Sequence, residues 1–174
     1  MNFRRMAVVF VLAGCGSGST ENGFSTTPGR SVLFAGVDLV TFTSLGGGLH
    51  PNPPPGAACD PYKWTYAVSF TDQTRSSMTC STSDFTDPTT YVPNNELVSL
   101  DGSAWSTVKS AIAAVTVSNK TTCGADADQR ELTVATATGS LEYGDDFYAC
   151  DTSYTSFVDS NSLDNLQTAL SAIP

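Results

Sequence analysis

The chain has 174 residues, and its 17 acidic side chains outnumber the eight basic ones, which gives a formal net charge of −9 and a calculated isoelectric point near 4.2. Such an acidic excess repels the phosphates of nucleic acids and the headgroups of anionic lipids, so neither is expected as a direct partner. Residues 32–174 have the length of one domain with one hydrophobic core.

Residues 1–14 are predicted to be a signal peptide. Arg4 and Arg5 supply a positive start, and the following run Met6–Leu12 is apolar and uncharged. As a helix rising ~1.5 Å per residue, this run falls far short of the ~30 Å hydrocarbon core of a bilayer. The segment therefore predicts export and not a membrane-spanning anchor.

The end of the signal peptide adds a lipid anchor to this prediction. The residues Leu12-Ala13-Gly14-Cys15 resemble the lipobox of bacterial prolipoproteins, in which an aliphatic residue, a small residue and Gly or Ala precede Cys. The resemblance implies cleavage before Cys15, a diacylglycerol on its thiol and a fatty-acylated amino terminus. It also implies a place in the cell envelope outside the cytoplasm, and in the outer membrane of a cell that has one, because residue 16 is Gly and not Asp.

Residues 15–31 are predicted to be the lipidated amino terminus and a flexible tether. They are rich in Gly, Ser and Thr and contain one aromatic residue, so they offer too little apolar surface to offset the entropy of ordering. A coil of this length spans roughly 20–24 Å, which would hold a domain of residues 32–174 away from the membrane. Cleavage would also remove Arg4 and Arg5 from the eight basic residues, leaving six against 17 acidic ones, or −11.

The domain is expected to begin with a strand and a proline-rich loop. Residues 32–45 predict the strand, which ends before Gly46. The segment "LHPNPPPGAA" predicts the loop, because proline fixes φ and lacks a backbone donor. We take one stretch of it as the candidate binding loop, namely His50, Pro51, Asn52, Pro53, Pro54 and Pro55.

Two similar units are predicted after this loop. In the first, apolar residues alternate with smaller or polar ones over residues 62–70, which indicates a strand with one buried face, and a second strand ends at Cys80. In the second, residues 130–150 predict another hairpin, which turns near Gly139 and ends at Cys150. We interpret the aromatic alternation in the first unit as core and not as a surface that stacks on sugars.

A helix with one apolar stripe at i, i+3, i+7 and i+10 is predicted after each hairpin. Ser103 and Ser162 are the predicted N-caps. The stripes comprise Trp105, Val108, Ile112 and Val115 in the first helix and Leu163, Leu166, Leu170 and Ile173 in the second.

Besides Cys15 the chain has Cys59, Cys80, Cys123 and Cys150. An even number in an exported chain predicts two disulfide bonds, with three open connectivities. Pairing Cys59 with Cys80 and Cys123 with Cys150 would close each unit, and the repeat favours it, although cross-links between the units stay open. With no C-x-x-C motif and a single histidine, the sequence predicts no metal and no cofactor.

Together these elements predict an α+β fold. We expect an antiparallel sheet of about five strands with two helices on one face, built from two similar β-hairpin-plus-helix units and two disulfides.

Two motifs that resemble catalytic or metal sites are interpreted as ordinary surface. Ser106 and Lys109 match the Ser-x-x-Lys of β-lactamases and penicillin-binding proteins, but the sequence lacks the other motifs of those enzymes. The acidic stretch 126–131 resembles the start of a calcium loop but lacks its glycine and distal glutamate. It is interpreted as a solvated acidic turn. The alternative is a weak calcium site, to which Asp145 and Asp146 could add carboxylates.

The sequence therefore predicts an envelope protein that binds or scaffolds and is not an enzyme, with no catalytic residue. Its expected partners are the membrane, through the lipid, and a protein of the envelope or the extracellular space. The alternative is an extracellular protease inhibitor that presents the loop His50–Ala58, braced by a disulfide at Cys59. The segments "HPNPPPGAACD" and "CGADADQRELTV" resemble parts of the small two-disulfide subtilisin inhibitors, without identifying a reactive-site residue. A small hydrolase is the third hypothesis.

Overall fold

The structure, a computed structural model, describes residues 23–46, 50–120, 124, 129–147 and 153–174. Within these ranges the chain forms eight strands and two α-helices. The strands are β1 Val37–Leu45, β2 Lys63–Ser69, β3 Thr74–Ser81, β4 Val92–Ser99, β5 Val117–Ser118, β6 Gln129–Thr136, β7 Gly139–Asp145 and β8 Phe157–Val158; the helices are α1 Gly102–Ala114 and α2 Ser160–Ser171, and a 3-10 turn spans Pro88–Thr90.

All these strands lie in one sheet, in the order β4-β3-β2-β1-β6-β7-β8-β5. β1 pairs antiparallel with both β2 and β6, so the hairpins β2–β3 and β6–β7 flank it on opposite sides. The pairing of β7 with β8 is parallel. The α+β class with two helices is confirmed, whereas the prediction of about five strands in a wholly antiparallel sheet is wrong.

Three strands, β4, β5 and β8, were not predicted from the sequence, because apolar and polar residues do not alternate along them. β4 contains a proline and two adjacent asparagines, which are residues depleted in strands, and nearly all of its side chains are exposed. β5 and β8 have two residues each, too few for any periodicity. Their neighbours in the fold, and not their own composition, place these strands in the sheet.

The core lies between one face of the sheet and the two helices. Phe70, just beyond β2, meets Trp105 of α1 edge to face with ring centroids 5.1 Å apart, and Tyr66 of β2 packs against the same cluster. The interpretation of this face as core is therefore confirmed for Tyr66, Val68 and Phe70, whereas Tyr62 at its start stacks on His50 outside the core cluster. The core includes Val40 and Phe42 of β1, Val68 of β2, Leu132 and Val134 of β6, Tyr143 of β7, Val108 and Ile112 of α1, and Leu163, Leu166 and Leu170 of α2.

Aspartates, and not the predicted serines, cap the two helices. The Asp101 carboxylate accepts hydrogen bonds from the backbone N–H groups of Ser103 and Ala104, and Asp159 accepts one from the N–H of Ser162. The prediction of Ser103 and Ser162 as N-caps is wrong, because a charged carboxylate two or three residues earlier both reaches these donors and favours the positive end of the helix.

The folded part of the chain starts before residue 32. Phe24 is 6% exposed and belongs to the core, and the Tyr143 hydroxyl donates a hydrogen bond to the Ser25 carbonyl at 2.8 Å. Gly29 and Arg30 form backbone hydrogen bonds with Val117. The predicted tether therefore extends too far, because its last residues form part of the domain.

The two units resemble each other in their hairpins and helices and differ in the strand that follows each hairpin. β4 pairs antiparallel with β3, whereas β8 pairs parallel with β7. Cys59 and Cys80 form a disulfide with their Cα atoms 5.7 Å apart, which confirms the predicted closure of the first unit. Cys123 and Cys150 lie outside the described residues, and their pairing stays a prediction.

Candidate functional site

The face of the sheet opposite the helices, which we call the open face, carries exposed apolar side chains among polar ones. Because side chains alternate along a strand, the residues of β1 next to the buried Val40 and Phe42 point to this face. The open face comprises Leu39, Thr41, Thr43 and Leu45 of β1, Thr65 and Ala67 of β2, Ser76 and Met78 of β3, Asn95 and Leu97 of β4, and Glu131 and Thr133 of β6.

Four large apolar side chains of the open face are exposed to solvent. Leu39, Leu45 and Met78 are 37–40% exposed, and Leu97 is 72% exposed. Near Leu97 a shallow groove of about 370 Å³ crosses β2, β3 and β4, with Met78 and Leu97 as apolar lining and Thr65 among the polar residues. Such a surface can bind an extended chain or a flat partner through apolar contacts and hydrogen bonds.

Tyr154 lies over the other end of the open face. Its hydroxyl donates a hydrogen bond to Glu131 Oε2 at 2.8 Å, and its ring packs on Gly144 of β7. A Cβ atom on residue 144 would lie 2.7 Å from this ring, so only glycine fits beneath it. A smaller hollow of about 130 Å³, lined by Leu45, Lys63, Tyr154 and their neighbours, lies beside this contact.

The candidate binding loop is held at both ends. The His50 ring stacks on Tyr62 with centroids 3.9 Å apart, and Phe85 continues the stack at 6.0 Å from Tyr62. At the far end, the disulfide of Cys59 with Cys80 fixes the loop to β3. Between these points the Ala57 N–H donates to the Pro54 carbonyl at 3.0 Å, which closes a turn.

Within this loop, exposure is uneven. His50, Pro51, Asn52 and Pro55 are exposed, whereas Pro53 and Pro54 are half-buried. The loop therefore presents its proline-rich backbone to solvent while the ring stack limits its motion at His50. The contact that the structure establishes for the His50 ring is its stack on the aromatic face of Tyr62.

A buried ionic cluster lies where β6, β7 and α2 meet. Arg130 Nε donates to Asp145 Oδ2 at 2.7 Å, and its Nη1 donates to Asp164. Asp145 also accepts hydrogen bonds from the Phe147 N–H at 2.9 Å and from the Ser160 hydroxyl. Arg130 is 8% and Asp145 is 1% exposed, so this ion pair is shielded from water.

Asp146, beside it, is 2% exposed and shares the Ser160 hydroxyl with Asp145. It accepts hydrogen bonds from the Ser118 hydroxyl at 2.5 Å, from the Ser160 N–H at 3.1 Å and from Lys120 Nζ at 3.3 Å. Burial by itself raises the pKa of Asp146, but hydrogen bonds from these side chains and from the Ser160 amide outweigh it and hold the pKa below its ordinary value. The carboxylate therefore stays ionised at neutral pH.

This cluster bears on the calcium alternative for the acidic stretch. Asp145 and Asp146, the two carboxylates that could have joined that stretch in a calcium site, are buried and bonded to donors of the protein. Among the residues that the structure describes, no group of three or more His, Cys, Asp or Glu side chains is placed to hold a metal ion. Residues 126–128 of the calcium-like stretch lie outside the described residues.

The Ser106–Lys109 pair is placed as the sequence predicted. Both side chains are exposed on α1, while Val108 between them is buried in the core. Neither residue faces the candidate binding loop or the open face, because α1 packs on the opposite side of the sheet.

The structure thus brings together some predicted residues and leaves others apart. The candidate binding loop and the bridge from Cys59 to Cys80 form one braced region, whereas Cys15, Cys123 and Cys150 lie outside the described residues. Sequence reasoning missed the open face. A signal was present in the threonines that alternate with the buried residues of β1, but it marks a face only once the helices are known to pack on the other side.

In the described parts of the chain, no helix combines the length and apolar character that a membrane span requires. Comparison with protein-family models, with curated proteins and with solved structures finds no match to this chain.

Proposed function

We propose that this chain is a lipid-anchored cell-envelope protein whose folded domain binds another protein of the envelope or the extracellular space and does not catalyse a reaction. The proposed location in the cell envelope rests on the resemblance of residues 12–15 to a lipobox, with Cys15 as the lipid-bearing residue. Two or three acyl chains would hold the protein stably, at ~0.8 kcal/mol per buried CH₂.

The observation that carries the binding role is the open face. A protein of this size that worked alone would be expected to leave few large apolar groups exposed on one continuous sheet surface. Here Leu39, Leu45, Met78 and Leu97 all project from that surface, interleaved with hydroxyl groups that can form hydrogen bonds. This mixture of apolar anchors and polar groups is typical of interfaces that associate reversibly.

The lipid anchor is tested by changing its attachment residue. Cys15→Ser is expected to abolish lipid attachment and to leave uncleaved precursor, because the thiol that receives the diacylglycerol is gone. The measurement is the intact mass of the product together with its partition into detergent. Ser17→Ala, two residues further on, is the matched control and should be processed like the parent. A Cys15→Ser product that has the mature mass and still enters the detergent phase would contradict the lipid anchor.

The binding face is tested by cross-linking in intact cells. A photoreactive amino acid at Leu39 or Leu45 is expected to give adducts of one larger defined mass, because both positions lie on the open face. The same amino acid at Lys109, exposed on α1 on the opposite side, should give none. Equal labelling from both sides, or no adduct from the open face, would refute a specific partner there.

A second candidate function, protease inhibition, is favoured by the bracing of the loop His50–Ala58. An inhibitor loop must enter a protease cleft without being cut quickly, which requires a backbone restrained before binding. The stack of His50 on Tyr62 and the disulfide of Cys59 supply such restraint from both ends.

This function predicts that the purified chain at micromolar concentration slows a subtilisin-like protease while its loop stays intact. The paired variant Cys59→Ala/Cys80→Ala should inhibit less and be cut within the loop, because one restraint is lost. Residual protease activity and peptide mass spectrometry provide the measurements. Rapid cleavage of the parent loop, or no inhibition across a panel of extracellular proteases, would eliminate this candidate.

A further inference from the structure

The two edges of the sheet are protected very differently. At one edge β5 has two residues, and the preceding chain covers it through hydrogen bonds of Gly29 and Arg30 with Val117 and a bridge between Ser31 and Thr116. At the other edge β4 has eight residues, and among the described residues only β3 pairs with it. A long edge strand with unpaired backbone groups is a template for pairing with another strand.

The register identifies which groups of β4 are unpaired. The Leu100 N–H donates to the Gln73 carbonyl at 2.8 Å, so residues of β4 at even positions turn their backbone groups towards β3. Residues at odd positions, Pro93, Asn95, Leu97 and Ser99, then turn theirs outwards. Pro93 fits this assignment, because the N–H that proline lacks would point away from β3 and is not needed for the pairing with β3.

The local chemistry of this edge differs from that of the whole chain. The only charged side chain of β4 is Glu96, which pairs with the buried Arg75 through a 2.7 Å contact to Arg75 Nη2. The edge is therefore close to neutral although the chain carries −9. Its most exposed apolar group is Leu97, with Met78 of β3 beside it on the open face.

We propose that two copies of this chain pair antiparallel along β4, about a two-fold axis at Leu97. In this register Leu97 opposes Leu97 of the second copy and Asn95 opposes Ser99, and each of these facing pairs can exchange two backbone hydrogen bonds. Glu96 then lies opposite Val98, so no like charges meet. The sheets of the two copies become one, and their open faces become continuous.

The neighbouring registers are less favourable. An axis at Glu96 places the two Glu96 carboxylates directly opposite each other, which is destabilising. An axis at Asn95 places Pro93 opposite Leu97, where proline has no N–H to donate. The pairing at Leu97 avoids both costs. An axis at Val98 avoids them too, but it places Leu97 opposite Ser99, whereas the axis at Leu97 brings the most exposed leucine into contact with its copy.

This inference rests on the β4 edge and does not require the proposed partner of the open face. Pairing of short edge strands buries little surface and gives modest affinity in solution. If both copies carry a lipid on the same membrane, their effective concentration rises and the pair is favoured further.

A cysteine cross-link in the full-length chain tests the pairing. Facing residues in such a pair have Cα atoms about 5.5 Å apart, within the span of a disulfide. Leu97→Cys is therefore expected to double in mass on a non-reducing gel after mild oxidation, in membranes and after purification. Val92→Cys, which is on the same strand, exposed and outside the paired segment, is the matched control and should stay at the mass of one chain.

A second variant gives a readout that needs no cross-link. Leu97→Lys would place two positive charges on the axis and is expected to shift the purified chain from dimer to monomer in analytical ultracentrifugation. Leu39→Lys, on the open face but away from the edge, should leave the purified chain a dimer. Both variants should keep the melting temperature of the parent, because both leucines are exposed. Equal cross-linking of Leu97→Cys and Val92→Cys, or a cross-link from residue 97 to a different protein, would overturn the two-copy pairing. So would a parent that stays monomeric at the highest concentration at which it is soluble. Loss of the adducts from Leu39 and Leu45 would refute only the proposed partner.

Discussion

Arg130→Ala is expected to lower the free energy of unfolding by about 3–5 kcal/mol, because it leaves a buried carboxylate without its cation. Asp145 is 1% exposed, and Arg130 Nε approaches its Oδ2 to 2.7 Å. The remaining donors to Asp145, the Phe147 N–H and the Ser160 hydroxyl, are neutral and compensate only partly for the lost charge.

The measurement is urea unfolding at neutral pH, with two comparison variants. Asp164, the second partner of Arg130, has a side chain that is 63% exposed. Asp164→Ala should therefore lower the free energy of unfolding by less than about 1 kcal/mol. The double variant Arg130→Met/Asp145→Asn removes both charges and should recover more than half of the loss of the single variant. If Arg130→Ala and Asp164→Ala lower the free energy of unfolding by the same small amount, the Arg130–Asp145 pair is not a buried structural ion pair.

The paired variant Cys59→Ala/Cys80→Ala is expected to lower the free energy of unfolding by about 3 kcal/mol. The bridge closes a loop with a sequence separation of 21, and its loss lets the unfolded chain gain conformations. Because small domains have only ~5–15 kcal/mol of stability, the variant should unfold at clearly lower urea concentration. The proline-rich loop should lose one of its two restraints at the same time.

Cys123→Ala/Cys150→Ala is the matched variant for the second unit. Gly124 donates its N–H to the Phe147 carbonyl at 2.7 Å, and these two residues lie one and three positions along the chain from Cys123 and Cys150. We expect a similar loss of stability from this variant and a peptide that links these two cysteines in a non-reducing digest. Free thiols at both positions, or equal stability of this variant and the parent, would contradict the second disulfide.

The sequence by itself determined the local elements of this fold. The alternation over residues 62–70 and the apolar stripes from Trp105 and Leu163 predicted the first hairpin and both helices, because each pattern repeats within one element and needs no distant partner. The even number of cysteines and the repeated order of cysteine, hairpin, cysteine and helix predicted the bond between Cys59 and Cys80. The lipobox-like residues, which lie outside the described structure, are likewise a local motif.

Only the tertiary structure decided where β4 and β8 lie and what the aspartates do. Arg130 meets Asp145 across 15 residues and Asp164 across 34, and Ser118 meets Asp146 across 28, so no local pattern marks these contacts. The open face was decided in the same way. Threonines that alternate along β1 form a binding surface or a covered layer depending on which side the helices pack, and that choice depends on contacts among distant elements that jointly bury the most apolar surface.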